Sequence, residues 1–426
     1  MIWTLVIVFF ALAALRMQIA FALGIACATA MIIFGDIPLA AIPHKLVNGI
    51  DSYVFLAIPL FLLAGNLMNA GGLTDRLFKF GRVMVGSIYG GLAHACVVAS
   101  MLFAWMSGSA VATVGGLGEI EVKALTDNGY DKSFAAAVAT SASVLGPIIP
   151  PSIPMIIYAA MTEQSVGKLF LGGIIPGVLM AGSLMVLIYV MSKKRNYPRD
   201  ESTSVGEKVT ALKDAIIPIL MPVIMLGGIA SGIFTPTEAA AVAALYAMLI
   251  SLFVYRTVRV RDLPKIFVEA MITSAVITFI ISNTSAMSFL LTVEEAGVKI
   301  ASAVLNFSSN KWIILLVVNV LLLIFGALME AGVVLILFIP ILYPLVVGHY
   351  GVDPIHFGII MCANLMIGVA TPPVGVSLFV MAHVAKLKME NLMRAILPFL
   401  IPIIFILLLL TYVPQIVTFL PDLFMK

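Results

Sequence analysis

Two short stretches of this chain combine residues able to hold a ligand in an apolar setting. The first is GPIIPPSIPM, Gly146–Met155, in which Gly146, Pro147, Pro150, Pro151 and Ser152 are the useful members. It lies inside an apolar run, Phe134–Met161, that is long enough to span a bilayer as helix. An interior proline removes a helical hydrogen bond and clashes with the preceding turn, so Pro147, Pro150, Pro151 and Pro154 together break that helix. Backbone left unpaired at membrane depth is tolerated only where protein buries it or where it lines a cavity. The freed carbonyls and N–H groups can then hold an ion or an anion. The second stretch is GVATPPVGVS, Gly368–Ser377, with Gly368, Thr371, Pro372 and Pro373. Sliding the chain by 222 residues lays Gly129–Ala160 on Gly351–Ala382 without a gap. Gly129/Gly351, Asp131/Asp353, Gly146/Gly368, Pro150/Pro372, Pro151/Pro373 and Ala160/Ala382 then coincide. All but the last pair are turn or breaker residues, and paired interruptions in two halves point to the binding site of a transporter.

Something must face each break. Ser107-Gly108-Ser109 sits between the apolar arms Gly91–Trp105 and Ala110–Gly118, and Met329-Glu330 sits between Trp312–Leu328 and Ala331–Val346. Both read as re-entrant hairpins, at about 91–118 and 312–346, from arm length and polar tip. The expected geometry puts Ser107, Gly108 and Ser109 against Gly146–Ser152, and Gly326–Gly332, with Glu330, against Gly368–Pro373 and the Thr371 hydroxyl. Glycine allows close backbone approach, and proline leaves the carbonyl four residues earlier without its usual donor. The competing explanation of the tip serines is small-residue helix packing or local capping. Ser282, Asn283, Thr284 and Ser285 form the densest polar cluster inside a span, readable either as ligand or as interhelical hydrogen bonding. Asn66, Asn319 and Asn364 are lone amides in apolar spans and read as glue before ligand, with Asn66 kept as a candidate. Glu330 is an intramembrane acid, a functional candidate by default. His94, His356 and His383 lack metal-ligand spacing and read as structural. Glu238, just after Pro236, belongs in a helix's first turn.

The elements that position these residues follow from composition. With 426 residues, 62% of them hydrophobic and 11% charged, the chain is an all-α polytopic membrane protein. Cys27, Cys96 and Cys362 are far apart in apolar surroundings and read as core thiols. The N-terminus MIWTLVIVFF has no basic region of the kind a removable signal needs. The longest hydrophilic stretch, Ser192–Asp214, leaves no room for a soluble catalytic domain, and no phosphate-binding G-x-x-x-x-G-K-[ST] occurs. Nothing points to nucleic acid or to an organic cofactor. The first half, 1–192, reads as spans Ile2–Leu15 (ended by Arg16), Gln18–Gly35 and Tyr53–Asn69, the first hairpin, the broken helix 133–161 and a span Gly172–Met191. Asp36–Ser52 is a loop with room for a short interfacial helix, and Glu119–Lys132 is polar. After a linker at 193–213, the second half, 214–426, repeats the order: Ala215–Phe234, Ala239–Tyr255, Ile266–Leu291 interrupted at Ser282–Ser285, a polar stretch Glu294–Lys311, the second hairpin, the broken helix 355–385 and a last span Ile396–Phe419.

Placing 193–213 in the cytoplasm puts nineteen of the 24 Lys and Arg residues inside. Only Lys45, Lys168, Lys299, Lys311 and Lys426 stay outside. Both termini are then periplasmic. The fourth and ninth of ten crossings, which carry the breaks, run in opposite directions, so the repeat is inverted. A hairpin leaves the parity unchanged, so charge alone does not separate re-entrant loops from full spans.

GNLMNAGGL (Gly65–Leu73), FAAAVATSASVLGPIIPPS (Phe134–Ser152), GIFTPTEAAAVAALY (Gly232–Tyr246), HFG (His356–Gly358) and GVATPPVGVSLFV (Gly368–Val380) resemble the large membrane subunit of tripartite ATP-independent periplasmic (TRAP) transporters over essentially the whole chain. The resemblance implies a bacterial inner-membrane protein with an elevator-type, ion-transporter-like fold, in which two hairpins and two broken helices carry substrate and sodium against a fixed scaffold. It implies a small membrane subunit, here expected as a separate chain because this one starts at its first span, and a periplasmic substrate-binding protein. Two or more sodium ions are expected, one at each hairpin–break junction, held by carbonyls and hydroxyls. The substrate class is a carboxylate such as sialic acid or a C4-dicarboxylate. No predicted span core contains Lys or Arg, so such an anion must rest on helix N-termini, hydroxyls and bound sodium. The competing functions are a passive channel, which fits paired hairpins less well, and an intramembrane hydrolase using Ser107 or Ser109 with His94, which lacks a well-spaced base.

Overall fold

The computed structural model describes residues 1–15, 17–34, 38, 40–199, 204–295, 299 and 310–425. The side chains of residues 2, 13, 14, 73–75, 104–107 and 205 stand outside that description. Arg16, Asp36, Lys426, the Ser107 side chain and most of the polar stretch 294–311 therefore lie outside the described residues. Among the described residues every regular element is helical. The first half holds α1 (Ile2–Ala14), α2 (Ile19–Phe34), α3 (Ala41–Asn48), α4 (Ala57–Ala70), α5 (Leu73–Val85), α6 (Gly91–Ser107), α7 (Ala110–Asp127), α8 (Lys132–Ser143), α9 (Ile153–Thr162) and α10 (Val166–Lys194). The second holds α11 (Val205–Ala230), α12 (Pro236–Leu249), α13 (Leu263–Val293), α14 (Lys311–Leu328), α15 (Ala331–Tyr343), α16 (Pro354–Gly368), α17 (Val376–Val384), α18 (Met389–Tyr412) and α19 (Gln415–Phe424). Eight helices among the described residues are long and apolar enough to cross a bilayer.

The packing has the symmetry of an inverted repeat. Helix α4 packs on α12 as α13 packs on α2, and α1 packs on α2 as α11 does on α12. The hairpin α6–α7 packs on α8, and α14–α15 packs on α16. The second limbs then cross over: α7 lies on α17 and α15 on α9. Local chemistry repeats as well. Gly129 and Gly351 take positive φ, +84° and +64°, a conformation glycine adopts without steric cost. Two residues on, the Asp131 carboxylate accepts the Phe134 N–H at 2.9 Å and the Asp353 carboxylate accepts the His356 N–H at 2.8 Å. Each satisfies an orphan donor at a helix start. Glu238 acts structurally: it accepts the Thr235 N–H at 2.8 Å while its own N–H donates to the Thr235 hydroxyl at 3.3 Å, a reciprocal cap.

Five expectations need correction or extension. The 31-residue α13 runs unbroken through Ser282–Ser285, because the first three of these side chains are satisfied by backbone carbonyls and do not compete with the helix. Ser282 donates to the Leu46 carbonyl at 2.7 Å, Asn283 to Phe279 at 2.9 Å and Thr284 to Ile280 at 2.9 Å. The last span stops at Tyr412. Pro414, which has no N–H to continue the ladder, leads into α19, and α19 packs back on α10. The linker is shorter than 193–213, since α10 runs to Lys194 and a Ser204–Glu207 capping box starts α11 at Val205. The second arm of the first hairpin continues through the polar stretch to Asp127. It can do so because Glu121 is buried and accepts a hydrogen bond from Ser100 on α6 at 3.1 Å. The loop 36–52 does contain a helix, α3.

Candidate functional site

Each hairpin tip meets the break of its own half. Gly108, at φ +57°, sits so close to the first break that a Cβ there would lie 3.2 Å from the Pro151 carbonyl oxygen and 3.4 Å from the Ile153 nitrogen. A Cβ on Gly146 would lie 3.4 Å from the Thr113 hydroxyl. Ser109 caps α7 by accepting the Ala112 N–H at 3.3 Å, and its carbonyl accepts the Thr113 hydroxyl at 2.8 Å. Ser152 caps α9 by accepting the Met155 N–H at 3.3 Å, and it donates to the Pro147 carbonyl across the break. The second junction is tighter. A Cβ on Gly368 would lie 2.7 Å from the Gly326 Cα, and the Gly375 N–H donates to the Ala327 carbonyl at 2.8 Å. Thr371 donates to the Ile367 carbonyl at 2.7 Å, a bond that does not use the lone pairs of its hydroxyl. The Pro150–Pro151 and Pro372–Pro373 bonds are both cis. Each tip thus lies at the interruption of a broken helix, although both arms of the second hairpin, Lys311–Leu328 and Ala331–His349, are long and apolar enough to cross a membrane.

Between the tips lies a cavity of about 510 Å³. Its wall contains the first residues of four helices: Ser109–Val111 at α7, Ile153 and Pro154 at α9, Ala331–Val333 at α15 and Val376 at α17. A helix N-terminus carries unsatisfied N–H groups and a partial positive charge. The α13 face, through Ile272, Thr273 and Ile277, closes the opposite side. No Lys or Arg lines the cavity among the described residues, and Glu330 is its one carboxylate. Glu330 turns back on its own helix and accepts the Val333 N–H at 3.2 Å, as Ser109 does at α7.

Of the residues expected from sequence, Gly108, Ser109, Pro147, Glu330 and Gly332 line the cavity. Gly146, Pro150, Pro151 and Ser152 build the first junction, and Gly326, Gly368, Thr371, Pro372 and Pro373 the second. Ser282–Ser285 stand apart: Ser282 bonds α3, Asn283 lies against Gly24 of α2 and Ser285 against Gly49. Asn66 is half-buried on α4, one turn beyond the cavity residue Leu62. Asn319 and Asn364 are not lone amides. Asn364 donates to the Asn319 side-chain oxygen at 2.9 Å, and Asn319 to Thr411 at 2.8 Å. Both amides belong to segments expected to pair, and that was the available signal. The Asn364 amide oxygen and the Ser377 hydroxyl, on the two limbs of the second broken helix, are buried without a partner among the described residues. His356 is structural, bonded to the Leu410 carbonyl at 2.8 Å. His94 lies thirteen residues before Ser107 on α6, roughly 20 Å along the helix, so it is no base for a tip serine.

The family model described as "Tripartite ATP-independent periplasmic transporter, DctM component" matches residues 6–416. A sialic acid TRAP transporter large permease protein of Vibrio cholerae is 40% identical over 382 residues, covering 90% of this chain and 89% of that one. A C4-dicarboxylate TRAP transporter large permease protein of Pseudomonas aeruginosa is 42% identical over 400 residues, covering 94% and 93%. An isethionate TRAP transporter permease protein of Oleidesulfovibrio alaskensis is 42% identical over 402 residues, covering 94% of this chain and 63% of its own length. In fold, the chain is similar to the YdaH transporter of Alcanivorax borkumensis, described as having an unusual topology, with a TM-score of 0.59, 15% identity and 88% of each chain covered. On this match of sequence, the chain belongs to the TRAP transporters, as their large permease, the DctM component.

Proposed function

We propose that this permease takes up a small organic anion handed to it by a periplasmic binding protein, coupled to two or more sodium ions, by an elevator movement of α6–α10 and α14–α19 against α1, α2, α4 and α11–α13. The observation that carries the reading is the cavity on which four helix N-termini converge. With no cationic side chain in its wall among the described residues, these partial charges and bound sodium are what an anion can use. Its volume, about 510 Å³, falls in the range of ~300–1,000 Å³ typical of sites that enclose a whole small molecule. The names of the relatives support a carboxylate of the sialic acid or C4-dicarboxylate type as the substrate, with a sulfonate as a neighbouring chemistry. The sodium ions belong at the two tip–break junctions, where carbonyls and the hydroxyls of Ser109, Ser152 and Thr371 are hard oxygen donors. The small membrane subunit is a separate chain in this reading, and the protein resides in the inner membrane with both termini periplasmic, an orientation that the distribution of Lys and Arg supports. Counterflow in proteoliposomes tests the class of mechanism. A carrier preloaded with unlabelled substrate transiently accumulates labelled substrate, whereas a pore only equilibrates it, and simple equilibration would overturn the proposal.

A further inference from the structure

Away from the junctions a second cavity, about 340 Å³, opens between α5 and α11. Its wall is formed by Gly72, Arg76, Lys79, Phe80, Ala211 and Asp214. Arg76 and Lys79 are three residues apart on α5, so they share a face, and Ala211 and Asp214 do the same on α11. The depth of the pocket follows from the chain. Gly72 comes just after the apolar α4 ends at Ala70, and Asp214 closes the charged start of α11, which carries Glu207, Lys208 and Lys213. The pocket thus sits where spans give way to polar chain, the level of lipid headgroups. The Arg76 guanidinium stands over the Tyr255 ring at 4.1 Å, a contact that orients it. The Tyr255 hydroxyl is buried with no partner among the described residues. Arg76, Lys79 and Asp214 share the cavity yet make no ion pair with one another among the described residues. From the pocket an exposed apolar stripe, Leu212, Ile216, Leu220 and Val223, runs down α11 at helical spacing.

We infer that this pocket binds a zwitterionic phospholipid with a primary ammonium, an ethanolamine headgroup. The phosphodiester lies between Arg76 and Lys79, the ammonium on Asp214 and the acyl chains along the α11 stripe. A guanidinium offers a phosphate two parallel N–H donors. The carboxylate between the same walls repels a headgroup that carries only negative charge, and it needs N–H donors that a choline headgroup lacks. The pocket lies on the arm that joins α4 to the first hairpin, so lipid bound there anchors that arm at the membrane surface.

The test is native mass spectrometry of the delipidated full chain, titrated with phosphatidylethanolamine, phosphatidylglycerol and phosphatidylcholine of matched chains, and with soluble phosphoethanolamine. The ethanolamine lipid should bind about 10-fold tighter than the other two, the loss expected for one charge-assisted hydrogen bond. Asp214→Asn should bring it down to the level of phosphatidylglycerol, and Lys79→Gln should weaken all three lipids. Arg76→Gln should do the same, but its contact with Tyr255 serves folding as well, so Lys79→Gln and Asp214→Asn carry the test if that variant misfolds. Equal binding of the three lipids, or ethanolamine-lipid binding unmoved by Asp214→Asn, would overturn the assignment. Soluble phosphoethanolamine binding as tightly as the lipid would overturn it too, by making the site a phosphate-ester pocket.

Discussion

Gly368→Ala is the sharpest perturbation of the second junction. The added Cβ would meet the Gly326 Cα and carbonyl carbon at 2.7 Å and the Ala327 nitrogen at 3.1 Å. All three are backbone atoms, so no rotamer change relieves the contact. Carbon atoms pack comfortably near 3.5 Å, so α14 and α16 must part by roughly 0.8 Å. Overpacking of this kind costs about 1–3 kcal/mol. The Gly375 N–H to Ala327 carbonyl bond, 2.8 Å long at the same crossing, is at risk for a further ~1 kcal/mol. Alanine's better helix propensity returns up to about 1 kcal/mol. The net, about 1–3 kcal/mol, corresponds to roughly a 5- to 150-fold weaker junction. Uptake by proteoliposomes supplied with the binding protein should show the half-saturating sodium concentration rising on that scale. Gly115→Ala and Gly182→Ala are matched controls, because a Cβ at either position meets nothing within 4 Å. They should behave as wild type. If Gly368→Ala were indistinguishable from Gly182→Ala, the tip–break junction would have no part in transport.

Ser109→Ala and Thr371→Ala each remove a hydroxyl from a different junction. Each should raise the half-saturating sodium concentration about 5- to 150-fold, with a smaller effect at saturating sodium. Ser109→Ala also loses the α7 cap, so its thermal midpoint should drop by the equivalent of ~1 kcal/mol, and a Ser109→Asn control should recover stability without recovering the sodium response. For topology, an impermeant thiol reagent added outside should label a cysteine placed at Lys45 and spare one at Arg199. The native thiols Cys27, Cys96 and Cys362 are buried and give no background, and the reverse pattern would contradict the orientation. Asn364→Leu strands Asn319, which accepts from Asn364 at 2.9 Å, and should cost about 1–3 kcal/mol. A thermal shift no larger than that of Asn66→Leu would show that the buried amide chain contributes nothing to stability.

Much of this architecture could be read from the chain because its signals are local. Proline marks a break wherever it falls, and the offset of 222 residues needs only residue identity. Asp131 and Asp353 foretell helix starts by the same logic of caps. Pairing each tip with the break of its own half also held, since Gly326 and Gly368 leave room for nothing but backbone contact. What failed depended on partners distant in sequence. Ser282–Ser285 read as an interruption because their acceptors, Leu46 on α3 and carbonyls one turn back, are invisible to composition. The run of α7 on through the polar stretch is hidden for the same reason: Ser100, on the other arm of the hairpin, is what lets Glu121 be buried. The crossing of α7 onto α17 and of α15 onto α9, which brings four N-termini to one cavity, is a property of two halves folding together and leaves no mark in either.

The most direct measurement of the central claim is substrate accumulation driven by a sodium gradient. Proteoliposomes holding this permease and its small subunit, with the binding protein outside, would receive an inward gradient of sodium or of choline. The account predicts that sodium alone drives accumulation above the external concentration. It also predicts that the initial rate rises sigmoidally with sodium, as two or more coupled sites require. Accumulation to the same level in choline, or uptake that never exceeds equilibrium in sodium, would contradict it.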